Sequence, residues 1–340
     1  METGALGGHG KPIVAIAIGD PAGIGPEISL KAALDPNVRG MCRPVLIGDP
    51  TVIKRHAKAC SLSAELRVVD RLSEINWSDQ GLALLACRSN EAAGLEFGCA
   101  SAAGGRISLA AARMAIYPAL NDEVDAVVAT PQNQTSIALA GIAFDGYPSF
   151  VARETGLEPH DVYLMLCFDD MKIVHCTLHV GVAEAIALIT RERVSHVIRV
   201  ADEALRKLGI ANPKIYVSGL NPHAGEDGLF GREEIDIIKP AIEAEAADGI
   251  QVCGPFGADT MFHKADSDAF IVMLHDQGHI TAKLLARHAT AGLAIGSPIL
   301  FSSVAHGSGH DIVGKGVADP TAMIQAVSRL ARVKTRRAEF

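Results

Sequence analysis

The chain has 340 residues and a formal net charge of −8, from 31 Lys plus Arg against 39 Asp plus Glu. That balance excludes a surface built to displace counterions from nucleic acid or an anionic membrane. Hydrophobic residues at 49% and charged residues at 21% exclude a disordered chain, and the length suits two ordinary domains sharing a cleft.

In chain order, the first ten residues carry no Lys or Arg and read as a loose tail rather than a secretory leader. β-rich runs then alternate with helical patterns: Ile13–Ile18, Pro44–Ile47, Arg67–Val69, Val124–Val128, Val162–Leu166, Lys172–Cys176, Ile215–Val217 and Phe270–Leu274. Such alternation predicts an α/β fold with a largely parallel sheet and helices on both faces. Val194, Val197, Ile198, Ala201, Leu205 and Leu208 keep the apolar stripe of a core-facing helix. No apolar run reaches the ~18 residues of a membrane span. The seven cysteines include no Cys-x-x-Cys pair and read as reduced, core-filling thiols of a cytoplasmic protein.

Glycines gather beside three strand ends. Gly19-Asp20-Pro21-Ala22-Gly23-Ile24-Gly25-Pro26-Glu27 turns the first strand into a helix through Ala33. Pro26 suits the first helical turn, and Gly23 and Gly25 allow a tight loop whose amides can face an anion. The spacing is not Gly-x-Gly-x-x-Gly, so this is not the usual dinucleotide fingerprint. A second cluster, Gly219–Gly231, contains His223. The third, from Ser302 to Pro320, offers loop amides, hydroxyls, His306 and His310 before a helix through Leu330, which suits a nucleotide cofactor.

Three histidines each follow a strand: His179, His223 and His275. Ligands of open parallel sheets bind beyond the carboxyl ends of strands, so these imidazoles can converge on one crevice as a divalent metal site. No local spacing rule joins them, and separate loop histidines with backbone partners remain the alternative.

Taken together, Gly-Asp…Gly-Ile-Gly-Pro-Glu near the start and His306-Gly307-Ser308…Asp311-Ile312…Gly314-Lys315-Gly316…Ala318-Asp319-Pro320 near the end resemble the β-decarboxylating dehydrogenases of the isocitrate and isopropylmalate type. Asn221-Pro222-His223-Ala224-Gly225-Glu226, Gly254-Pro255…Ala258-Asp259-Thr260 and His275-Asp276-Gln277-Gly278 narrow the resemblance to the 4-hydroxythreonine-4-phosphate dehydrogenase branch. The resemblance implies two α/β/α lobes with a cleft between them: residues 1–135 plus 291–340 for the cofactor, and 136–290 for substrate, metal and dimerisation. It implies that His179, His223 and His275 bind a divalent metal, with zinc as the expected ion. It also implies NAD or NADP as cofactor, held by His306, Gly307, Asp311 and Gly314, and a homodimer with sites near the subunit interface.

The chain departs from that branch where the phosphorylated substrate is gripped. Gly-His-Thr-Glu is replaced by Gly146-Tyr147-Pro148-Ser149. An expected arginine and asparagine align with Phe301 and Gly292, and Lys283 is kept. A phosphate dianion loses partners there, at a cost of more than ~3 kcal/mol. Tyr147 and Phe301 are expected to make the pocket flatter and more apolar, as a ring substrate requires. Residues 140–149, 273–280 and 302–308 are similar to the terephthalate cis-dihydrodiol dehydrogenase subgroup, which implies NAD-linked oxidation and decarboxylation of 1,2-dihydroxy-3,5-cyclohexadiene-1,4-dicarboxylate to protocatechuate and carbon dioxide. The alternative is a phosphorylated hydroxy acid such as 4-phosphohydroxythreonine. Candidate substrate-binding residues are Tyr147, Ser149, Lys283 and Ser302. Lys283 would pair with a carboxylate or relay a proton, and Asp276 would orient the His275 ring or cap its loop.

Overall fold

The computed structural model describes residues 10–286 and 290–333; all but the last residue of the tail expected over 1–10 lies outside them. The sheet contains β1 (Ile13–Ala17), β2 (Arg43–Gly48), β3 (Leu66–Val69), β4 (Leu82–Ala86), β5 (Ala126–Ala129), β6 (Tyr163–Phe168), β7 (Met171–His175), β8 (Lys214–Ser218), β9 (Gln251–Phe256), β10 (Ala269–Val272), β11 (Ala291–Ile295) and β12 (Phe301–Val304). Their order is β3-β4-β2-β1-β5-β12-β11-β6-β7-β10-β8-β9.

Six strands from β3 to β12 run parallel, as do the four from β7 to β9. Between these blocks, β11 is antiparallel to both neighbours, and β6 is antiparallel to β7. The α/β expectation therefore stands, with the two parallel blocks joined edge to edge in one sheet rather than held in separate sheets. The apolar core follows the sheet without a break, from Val14 and Ile16 through Met165 and Leu293 to Val217 and Ile271.

Helices cover the sheet where the sequence carries apolar stripes. The helix Arg191–Lys207 buries Val194, Val197, Ile198, Ala201 and Leu205, and Thr190 caps its first turn through the Arg193 amide. Five of the seven cysteines are buried, while Cys99 and Cys253 are exposed. Burial pushes the Cys42 thiol up to about 12 and Cys176 up to about 11, so both behave as core filling. Among the described residues no helix is long and apolar enough to cross a membrane.

Strand neighbours decide where the histidines go. β10 lies between β7 and β8, so the segments leaving these three strands emerge at one sheet edge, about 4.8 Å apart per strand. His179 lies four residues beyond β7, His275 three beyond β10 and His223 five beyond β8.

Candidate active site

Backbone and hydroxyl contacts hold the exits of β7 and β10 together. Cys176 donates its amide to Val272 (2.8 Å), and the Thr177 hydroxyl donates to the Met273 carbonyl (2.7 Å). The helix His275–Leu285 begins at once, and Gln277 fastens its start: Oε1 accepts from the Met273 and Leu274 amides, and Nε2 donates to the Gly219 carbonyl beyond β8 (3.1 Å).

His179 and His275 consequently face each other, with ring centroids 5.6 Å apart. His179 Nδ1 donates to the Asp145 carbonyl, and His275 Nδ1 meets Asp276 Oδ1 at 2.7 Å. Each Nδ1 is thereby committed and each Nε2 keeps its lone pair, which is how ligand histidines are oriented. Asp276 is thus in contact with the His275 ring through its carboxylate. Two imidazoles sharing one tetrahedral ion at ordinary Zn–N lengths have centroids about 5 Å apart, so this pair fits a divalent cation.

His223 is not brought to that pair within the chain. It is exposed, its ring 6.1 Å from Phe230, and among the described residues no three His, Cys, Asp or Glu side chains are gathered to hold an ion. Its loop is strained: φ is positive at His223 (54°), Ala224 (53°), Gly225 (81°), Glu226 (44°) and Asp227 (53°), a conformation that costs non-glycine residues of order 1 kcal/mol each. Glu234, 3% exposed, holds the loop: Oε1 accepts from the Leu220 and Asn221 amides (both 2.7 Å), and Oε2 from Asn221 Nδ2 (2.9 Å). A loop maintained in that shape by a buried carboxylate points to a function for the residue it displays.

The facing pair opens on a cleft of about 700 Å³, whose lining includes Gly146, Tyr147, Pro148, His279, Lys283 and His306. That is ample for a small-molecule substrate. Gly146, at φ 146°, lets its loop reach His179: a Cβ there would stand 3.2 Å from Nδ1. The Tyr147 hydroxyl donates to the Thr130 carbonyl (2.9 Å) and accepts from Gln132 Nε2 (2.7 Å). Burial raises its pKa above that of an ordinary phenol. Tyr147 therefore offers the cleft a ring rather than a free hydroxyl. Lys283 is exposed on the cleft wall and has no acceptor among the described residues.

Other candidates sit differently from their sequence expectation. Phe301, 1% exposed, stands behind Tyr147 at 5.1 Å rather than on the cleft surface. Ser302 is fully buried and donates to the Gly292 carbonyl (3.1 Å), while its neighbour Ser303 lines the cleft. The Ser149 hydroxyl, 7% exposed, is turned to Asp145 Oδ1 and the Gly146 carbonyl, so it shapes the Tyr147 turn. The alternation of a strand sends Ser302 and Ser303 to opposite faces, and only the register against β11 (Leu293 opposite Ser302) shows which faces inward.

The two glycine clusters are stitched together beside the cleft. The Ile24 amide donates to the Ser308 carbonyl (2.8 Å), and His310 Nε2 meets the buried Asp20 Oδ2 (2.6 Å). Buried Glu27 accepts from the Ala318 amide (3.0 Å). His306 lines the cleft, and the space around Gly307 is open. Asp311 and Gly314 are not among the cleft-lining residues; Gly314 turns at φ 72° where Phe97 fills the place of a Cβ.

Two histidines that sequence reasoning left without a role stand beside the pair. His175, the last residue of β7 and 1% exposed, meets His279 Nδ1 through Nε2 at 3.0 Å, and the His279 ring stacks on His275 at 3.9 Å and 8°. Burial, then the neighbouring imidazoles, push His175 down to about 3 and His279 down to about 4. The signal available was the spacing of His275 and His279, four residues apart on one helix face.

Known proteins bear on this geometry. Residues 40–330 match the family model described as pyridoxal phosphate biosynthetic protein PdxA. The 1,2-dihydroxy-3,5-cyclohexadiene-1,4-dicarboxylate dehydrogenase of Comamonas sp is 39% identical over 319 residues, 93% of this chain and 96% of that protein. A protein of Symbiobacterium thermophilum with the provisional name D-threonate 4-phosphate dehydrogenase is 38% identical over 93% of this chain and 95% of its own length. Among solved structures, terephthalate 1,2-cis-dihydrodiol dehydrogenase of Burkholderia xenovorans LB400 is 43% identical with a TM-score of 0.69, covering 94% of this chain and 97% of that one. The 4-hydroxythreonine-4-phosphate dehydrogenase of Klebsiella pneumoniae is 33% identical with a TM-score of 0.84, covering 95% and 98%. On a family match over residues 40–330, which takes in all the candidate histidines and the late glycine cluster, and on relatives that cover more than nine-tenths of it, the chain belongs to the PdxA family of dehydrogenases.

Proposed function

We propose that this dehydrogenase oxidises and decarboxylates 1,2-dihydroxy-3,5-cyclohexadiene-1,4-dicarboxylate to protocatechuate and carbon dioxide, with NAD as hydride acceptor and a divalent metal, zinc, at His179 and His275. The observation that carries this reading is the cleft wall at Tyr147. Its phenol is tied to Thr130, so the wall is flat and apolar, and among the described residues that line the cleft no arginine stands ready for a phosphate dianion. A ring dicarboxylate, with its diene face for the wall and a carboxylate for Lys283, suits this cleft better than a phosphate monoester does.

Oxidising an alcohol on the carbon next to one bearing a carboxylate gives a β-keto acid. Loss of carbon dioxide then leaves an electron pair that settles on the new carbonyl oxygen, and tautomerisation completes the aromatic ring. A divalent ion would supply Lewis acidity to that oxygen in both steps. The chain's own part is positional: Asp276 fixes the His275 tautomer, Lys283 pairs with a substrate carboxylate, and the ring of Tyr147 flanks the diene. His306 and the open amides at Gly307 would receive the dinucleotide, with Asp311 and Gly314 shaping that loop.

The third metal ligand, His223, is assigned to a second copy of the chain. Its loop is exposed with Leu229 and Phe230 beside it, and Ile280, Leu284 and Leu285 lie exposed on the helix that carries His275, as an isologous interface would require. A phosphorylated hydroxy acid is the second reading, favoured by the names of relatives at 36–38% identity. Metal-replete protein with NAD and each compound separates the two. The expected result is equimolar NADH and protocatechuate from the dihydrodiol; turnover of D-threonate 4-phosphate or 4-phosphohydroxythreonine in its place overturns the proposal.

A further inference from the structure

We propose that His279 contacts the substrate, presenting Nε2 to the cleft as a hydrogen-bond acceptor fixed in place by His175, and that it receives a hydroxyl adjacent to the one being oxidised. This rests on the diol reading above and names a residue for its second hydroxyl.

The argument is a chain of donors and acceptors. A carbonyl oxygen only accepts, so the Leu164 carbonyl, 3.3 Å from His175 Nδ1, places the His175 proton on that nitrogen. A neutral imidazole has one N–H, so His175 Nε2 carries a lone pair. The nitrogen 3.0 Å away is His279 Nδ1, which must therefore donate. His279 is then left with its own lone pair on Nε2. Solvent cannot reverse this order at His175, which is 1% exposed at the end of β7. Gly278 makes the contact feasible: a Cβ there would collide with His175 Nε2 and Cε1.

His279 lines the cleft, and Nδ1 is the ring nitrogen turned to His175, which leaves Nε2 on the opposite side of the ring. It is not placed to share an ion with His275. The two rings are stacked nearly parallel, 3.9 Å apart and 8° from coplanar orientation, so their in-plane lone pairs run side by side rather than converge on one ion. The acceptor thus stands next to the metal position, one helical turn before Lys283. An acceptor for O–H and a cation for a carboxylate, one turn apart on a single helix face, match a ring that carries a vicinal diol and a carboxylate.

The test uses the full-length, zinc-loaded protein. With 15N-histidine labelling, and His279→Gln to assign the ring, His279 Nδ1 should resonate as a protonated nitrogen and Nε2 as an unprotonated one; the reverse overturns the inference whatever the substrate is. In kinetics with the dihydrodiol, His279→Leu should raise KM about tenfold, the size of one lost hydrogen bond, with the KM for NAD unchanged. His279→Gln, whose side-chain amide can again accept near Nε2, should recover most of it. A His279→Leu enzyme with unaltered KM and kcat overturns the inference while leaving the diol reading intact. Wild type inert towards the dihydrodiol overturns the diol reading, and the nitrogen spectra alone then decide the tautomer.

Discussion

Individual side chains in this cleft gain their roles from what their second polar atom is doing. His179 and His275 can offer Nε2 because Asp145 and Asp276 occupy Nδ1, so removing a ring and removing its orienter should differ in size. We expect His275→Ala to lose bound zinc, read by elemental analysis, and activity by more than a hundredfold. Asp276→Asn should keep the metal stoichiometry and lose about ten- to a hundredfold in affinity or rate. Ser302 gives the opposite expectation. Its hydroxyl is sealed against Gly292, so Ser302→Ala should cost about 1 kcal/mol in urea unfolding and leave KM for substrate unchanged.

Buried His56 makes a prediction about acid. Its Nε2 donates to the Pro21 carbonyl at 2.9 Å, among the described residues Nδ1 has no hydrogen-bond partner, and burial lowers its pKa to about 4. The unfolded chain takes up this proton near the ordinary value of about 6.5, before the folded chain does. The stability contributed by neutral His56 is therefore complete above pH 6.5 and lost progressively as pH falls from 6.5 to about 4, a loss of about 3 kcal/mol. Urea midpoints measured at pH 7.5 and pH 4.5 should show it, and His56→Gln should shrink the difference by the His56 share, with His175 and His279 supplying a further part.

Among the elements, the loop after β8 is the one whose shape needs outside support. Five successive positive φ values run from His223 to Asp227, and the two residues that lead into them, Leu220 and Asn221, are tied by hydrogen bonds to the buried carboxylate of Glu234. Glu234→Ala should cost about 3 kcal/mol or more, because three donors lose their charged acceptor, and should lower kcat as well. A variant destabilised to that extent but fully active in native buffer would show that the loop geometry has no part in catalysis.

The strands themselves were unevenly legible. The eight runs rich in Val, Ile and Leu with clear boundaries all correspond to observed strands, from β1 to β10. β4 (LALLA), β9 (QVCGPF), β11 (AGLAI) and β12 (FSSV) gave no comparable signal. Alanine, glycine and serine have weak strand preference, and such strands form because their neighbours supply the ladder. β9 holds Pro255 at the sheet edge, where a missing N–H is tolerated.

For the whole molecule, the question is whether one chain suffices. His223 stands apart from His179 and His275, and exposed Leu229, Phe230, Ile280, Leu284 and Leu285 surround the two regions. If a second copy completes the site, mixing inactive His223→Ala and His275→Ala proteins should restore activity. Random exchange makes half the dimers mixed, each with one intact site of two, so recovery should approach about a quarter of wild type. No recovery after verified subunit exchange would mean that each chain must build its own site.

Local pattern was enough for the α/β class, the strand ends that carry the candidate histidines and the three glycine-rich turns, because side-chain alternation and backbone permissiveness are properties of neighbouring residues. The resemblance of spaced motifs added the expectation that three of the histidines share a metal. Three-dimensional pairing alone placed β10 between β7 and β8, buried Ser302 while exposing Ser303, moved Phe301 behind Tyr147, and set His175 under His279. Those outcomes depend on contacts between residues 10 to more than 100 positions apart, whose register is fixed by the packing of the whole sheet and leaves no periodic trace in any one segment.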